Sequence, residues 1–203
     1  MISSFIITFR ETLEAALIVG IILAYLLRTK RAKYNNLVYL GIVSAVVASV
    51  ISALLFNKLA GGFTGTAEQI FEGITMLLAS FLITFMILWL MKQKHVAREL
   101  EKKVDVEIDK AQQFGLFFVV FISVFREGIE TVLFLGAASF ISTDNALAGA
   151  LLGIIAAIIL GYILFTSTKK INIKTFFNAT SIILILFAAG LVAHGIHEFQ
   201  EAK

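Results

Sequence analysis

Six apolar runs, each near or above the length of a membrane-crossing helix, take up most of this chain: residues 2–27, 37–57, 67–91, 114–140, 146–166 and 175–197. A spanning helix needs about 20 mostly apolar residues. Charged residues form only 15% of the 203, against about 25% in a soluble domain. The expected fold is therefore all-α, a polytopic membrane protein of six transmembrane helices. With no proline, any helix break would fall at Gly or at polar residues. With no cysteine, disulfides and thiolate metal sites are excluded. The first run has no basic leader and is too long for a signal-peptide core, so it reads as a spanning helix.

The loops orient the runs. Arg28, Lys30, Arg31 and Lys33 follow the first. Six basic residues from Lys92 to Lys110 follow the third, and Lys169, Lys170 and Lys174 follow the fifth. The remaining loops and the C-terminus hold only Lys58 and Lys203. Odd loops are then cytoplasmic, which puts both termini outside a plasma-membrane protein. This placement accounts for the net charge of +3 without a nucleic-acid partner.

Two of the runs carry an unusual load. Arg10-Glu11-Thr12-Leu13-Glu14 lies in the first and Arg126-Glu127-Gly128-Ile129-Glu130 in the fourth. An ionisable group in hydrocarbon costs ~2.5 to 3.5 kcal/mol on insertion scales, so a repeated R-E-x-x-E pattern points to use. Thr8-Phe9-Arg10-Glu11 matches Val124-Phe125-Arg126-Glu127. Ladders of small residues match in the second and fifth runs: Gly41, Ala45, Ser49 and Ala53 against Gly149, Gly153, Ala157 and Gly161. Such ladders let helices approach closely in lipid. Phe71-Glu72-Gly73 matches Phe177-Asn178-Ala179. The chain thus divides into a three-helix repeat over 1–91, a linker over 92–113 and a second three-helix repeat over 114–203. Three spans per half make the second half enter the membrane from the opposite side. This 3+3 inverted repeat is the arrangement of transporters with a midplane site. In the linker, Val96, Leu100, Val104 and Ile108 recur every four residues, as in an amphipathic helix on the inner surface.

On a helix, side chains turn by roughly 100° per residue. Arg10, Glu11 and Glu14 then share one sector, as do Arg126, Glu127 and Glu130. Four carboxylates and two guanidinium groups sum to −2. A cation would balance that charge, and carboxylate oxygens suit hard metals, iron included. Each Arg can hold a Glu by paired hydrogen bonds and leave the other Glu to bind and release. A proton relay without metal is the competing functional reading, and buried ion pairs as glue between helices are the structural one. Glu68 and Glu72 at the outer end of the third run join His194 and His197 at the outer end of the sixth as further candidate metal ligands. No nucleophile or oxyanion donors accompany the Glu residues, and His194-x-x-His197-Glu198 is not a zinc-protease motif, so the chain is not expected to be an enzyme.

Paired R-E-x-x-E motifs in the first and fourth helices, with Glu72 in Phe71-Glu72-Gly73, resemble the high-affinity iron permease family, the oxidase-dependent iron transporters also described as iron/lead permeases. The resemblance covers nearly the whole chain. It implies inward iron transport, with the iron ion as substrate rather than a held cofactor. It also implies a ferroxidase or a periplasmic iron-delivery protein as partner. Members commonly carry a seventh helix or a C-terminal tail, whereas this chain stops at Lys203, which leaves partner contacts and a homo-oligomer open. Manganese or another divalent cation, and proton-coupled carriage of another substrate, stand as alternatives.

Overall fold

In the computed structural model, the described residues are 1–92, 104, 113–141, 145–166 and 173–202. The side chains of 89–92, 113, 166 and 173–179 are excluded. Six α-helices account for nearly all of them: α1 (Ile2–Arg28), α2 (Asn35–Ala60), α3 (Thr66–Lys92), α4 (Gln113–Ile141), α5 (Ala146–Thr166) and α6 (Ile173–Glu201). No strand occurs among the described residues. Each helix covers one of the six apolar runs. Most of the expected linker helix lies outside the described residues. Its one described member, Val104, is buried against Tyr25, Leu26 and Leu116.

Among the described residues, four stretches are long and apolar enough to cross a membrane: Ala32–Ala60, Thr66–Leu88, Ala146–Phe165 and Thr180–Glu201. Helices α1 and α4 have the length, but each carries the three charges of its motif. Much of the molecule's outer surface is apolar, with Val43, Val47 and Leu54 exposed on α2 and Leu151, Ile155 and Tyr162 exposed on α5. A lipid-facing surface has this composition, because hydrocarbon removes any reason to place polar groups outward. Inward Ser and Thr hydroxyls donate to carbonyls one turn back, as Ser49 does to Ala45 (2.8 Å) and Thr131 to Glu127 (2.8 Å).

The turns follow from local chemistry. Helix α1 ends where Lys30 takes a left-handed conformation (φ 58°) and Arg31 N–H donates to Leu26 O at 2.8 Å. Such an end satisfies carbonyls that the last turn leaves open. Gly65 (φ +62°) precedes α3, and its carbonyl accepts from Glu68 and Gln69.

Packing crosses between the halves. The most extensive pairings are α1 with α5, α2 with α4, and α3 with α6, and α1 also lies against α4. The ladders form two of these seams. A Cβ on Gly153 would meet Phe5 O at 2.6 Å and Phe9 N at 2.9 Å, and one on Gly149 would run into the Met1 carbonyl. A Cβ on Gly41 would meet Val120 Cβ at 3.0 Å and Phe117 O at 3.1 Å. The third seam is reciprocal: a Cβ on Gly73 would reach Gly195 O at 3.0 Å, and one on Gly195 would reach Gly73 O at 3.2 Å. Ile7 and Phe134 join Met76, Ile83 and Leu184 in one core, so the α3–α6 pair covers one side of the α1–α4 pair.

Candidate metal centre

Helices α1 and α4 bring the two motifs together. Oxygens of Glu11, Glu14 and Glu127 lie within 4.8 Å of one another. Glu130 is within electrostatic reach of all three. A set of three carboxylate oxygens this close is a candidate hard-cation site. It contains members from both motifs, so neither half forms it alone.

The side chains are held differently in the two halves. Arg10 is 0% exposed. Its Nη1 donates to Glu11 Oε1 at 3.0 Å, and its Nη2 lies 2.8 Å from Glu14 Oε1. One guanidinium thus holds both carboxylates of its motif, as its fork of donors permits. The Nη1 also lies 3.1 Å from Met86 Sδ on α3. In the second motif, Arg126 Nε donates to Glu130 Oε1 at 2.8 Å and lies 3.8 Å from Glu127 Oε1. Arg126 is 47% exposed. Glu11 and Glu127 are 1% and 5% exposed, and each keeps its Oε2 buried without a hydrogen-bond partner, as does Glu130. Unmatched buried carboxylate oxygens are costly, and a bound cation is a group that would match them.

The outer candidates are less closely gathered. Glu72 is partly buried beside Glu68 and Glu198. On α6, His194 and His197 are both exposed, and His197 Nε2 pairs with Glu201 Oε1 at 3.0 Å. Among the described residues, the three-ligand group that converges is the one between α1 and α4. Lys174 and Asn178, the inner counterparts of Glu68 and Glu72, have side chains outside the described residues. Met86 was not a candidate from the sequence, because a thioether in an apolar run reads as a core filler.

Long apolar helices that bury a charged, cross-half carboxylate cluster define a multi-pass membrane protein of the permease class. The chain belongs to the iron permease FTR1 family, whose model matches residues 1–203. It is 36% identical over 208 residues to the ferrous iron permease EfeU of Escherichia coli O6:H1, covering 100% of this chain and 75% of that protein. It is 37% identical over 206 residues to EfeU of Yersinia pestis, covering 100% of this chain and 73% of that protein. No solved structure matches the chain.

Proposed function

We propose that this chain imports iron through a site made by both R-E-x-x-E motifs. The observation that carries the reading is the convergence of Glu11, Glu14 and Glu127 oxygens within 4.8 Å beside a fully buried Arg10. Glu130, paired to the half-exposed Arg126, completes the set. The relatives' name supports Fe(II) as the ion. The reading takes six spans arranged as a 3+3 inverted repeat (1–91 and 114–203), and the pairing of α1 with α5 and of α4 with α2 is in keeping with it. The basic odd loops support a plasma-membrane orientation with both termini outside. Glu68, Glu72, His194 and His197 then lie at the outer end, where acidic groups raise the local concentration of cations. Any ferroxidase or periplasmic delivery partner would meet the chain on that side.

Oxygen ligands alone discriminate weakly among hard divalent metals, so Mn(II) is the natural competitor. The test is uptake of radioactive iron into proteoliposomes by the parent, Glu14→Gln and Glu127→Gln, with Mn(II) as competitor. Both variants should remain folded and lose most uptake. Parent-like uptake by either would overturn the shared site. Mn(II) carried as well as iron would make the chain a general divalent-cation carrier. Transport of another substrate that survives metal chelation would favour a proton-coupled carrier.

A further inference from the structure

A cleft of about 910 Å³ lies between α2 and α5, with α1 and α4 as its floor. Glu11 and Glu127 are in that floor. The walls are apolar, with Val46 and Val50 on α2 facing Ile154 and Ile158 on α5. Among the described residues, none of α3 or α6 lines it, so it opens on the side away from that pair. The helices at its rim expose Val47 and Ile155 outward. The cleft therefore faces hydrocarbon.

This composition does not suit a hydrated metal ion, which would lose water along apolar walls with few oxygens to replace it. It suits a ligand that is both apolar and positively charged. Drug-sized ligands occupy clefts of about 300–1,000 Å³ lined mostly by apolar groups with a few placed polar ones. Here the charged groups among them are two carboxylates, each with a buried Oε2 that lacks a hydrogen-bond partner, beside the neutral Thr12, Ser49, Asn57, Thr131 and Ser139. We propose that the α2–α5 cleft is a second binding site, for a hydrophobic organic cation that enters from the bilayer and sets its charge against Glu11 and Glu127. Such a cation would block iron by neutralising two of its ligands; that consequence rests on the function proposed above, whereas the binding itself does not.

The probe is tetraphenylphosphonium, with tetraphenylborate as an anion of the same shape that partitions into bilayers readily. Binding is measured without iron, by equilibrium dialysis against the protein in nanodiscs. The phosphonium should bind saturably and the borate should not. Glu127→Gln should weaken phosphonium binding. So should Val46→Trp and Ile158→Trp, each by about tenfold, since an indole from either wall overfills the cleft. Val46 and Ile158 are 50% and 57% exposed, so neither substitution enters the packed core, and both variants should keep iron uptake. The two lie on opposite walls, so one remains informative if the other does not fold. Equal binding of the borate, or unchanged binding in a folded wall variant, would overturn the site. So would a second copy of the chain cross-linked across the cleft with no phosphonium bound. If the phosphonium binds as expected yet leaves iron uptake untouched, the cleft stands as a cation site and the iron pathway through Glu11 and Glu127 fails.

Discussion

Arg10 and Arg126 begin the same five-residue pattern, yet one is wholly buried and the other is 47% exposed. The difference lies in what the rest of each half supplies. Met86 of α3 reaches Arg10. Counting from Phe71 and Phe177, the position that corresponds to Met86 is Val192, which has no acceptor atom. Two residues before Arg10, Thr8 donates to Ala150 O across to α5, where the second half has Val124. The first motif is therefore clamped, with one guanidinium on two carboxylates. The second is looser, with Arg126 closest to Glu130.

The largest effect expected from this contrast is at the arginines. Removing one partner of a buried ion pair costs about 3–5 kcal/mol, because the other charge is left uncompensated. Arg10→Gln should lower the thermal midpoint of the purified protein severely or prevent its folding. Arg126→Gln should cost less than Arg10→Gln, because Arg126 is 47% exposed while its partners Glu127 and Glu130 are largely buried, and its defect should appear chiefly in iron uptake. Equal destabilisation by the two would abolish the contrast between clamped and loose halves. Next in size is the seam beside Arg10. Gly153→Ala drives a Cβ into Thr8 and the Phe5 and Phe9 backbone, for which about 1–3 kcal/mol is expected. In the other ladder, where the position matching Gly153 is already Ala45, Gly41→Ala meets its neighbours at 3.0 Å or more and should cost less. Melting both variants orders the two seams.

The helices and both seams were readable in advance, because run length and four-residue spacing of small side chains act locally. The sequence called for the two motifs to face each other, and Glu11 and Glu14 do lie close to Glu127. The clamp was not readable. Met86 is chemically ambiguous in an apolar run, and which helix presents it to Arg10 is a matter of packing. The outer histidines show the same limit. Their i, i+3 spacing gives His194 and His197 a shared side of the helix, but not whether that side faces a neighbour, and both are exposed. The cleft was equally invisible, since it is a gap between α2 and α5 rather than a property of either.

A smaller effect should appear inside the motifs, at the residue after the first Glu. That residue is Thr12 in one and Gly128 in the other. A Cβ on Gly128 would run into Ser49 of α2, while the counterpart of Ser49 in the other ladder is Ala157. Larger and smaller residues are thus exchanged between the halves. Gly128→Thr should destabilise, and Ser49→Ala in the same chain should recover part of the loss, with a coupling of about 0.5–3 kcal/mol for contacting residues. A double-mutant cycle on thermal midpoints measures it. Strict additivity would mean that the two ladders do not match as the halves suggest.

The smallest expected effect belongs to Thr8, and it separates the seam from the clamp. Its hydroxyl lies 2.8 Å from Ser4 O and 3.0 Å from Ala150 O, in a fully buried position. Thr8→Val keeps the shape and installs the residue that the second half already has at Val124. Side-chain hydrogen bonds within membrane proteins are worth about 0.6 kcal/mol on average, so the midpoint should fall only slightly and iron uptake should persist. If Thr8→Val instead frees Arg10, uptake should fall far more than stability does, and the clamp would depend on the α1–α5 seam as well as on Met86. Combining Thr8→Val with Met86→Leu distinguishes these cases. Independent supports give additive losses, whereas a single support shared by both leaves the double variant no worse than Met86→Leu alone.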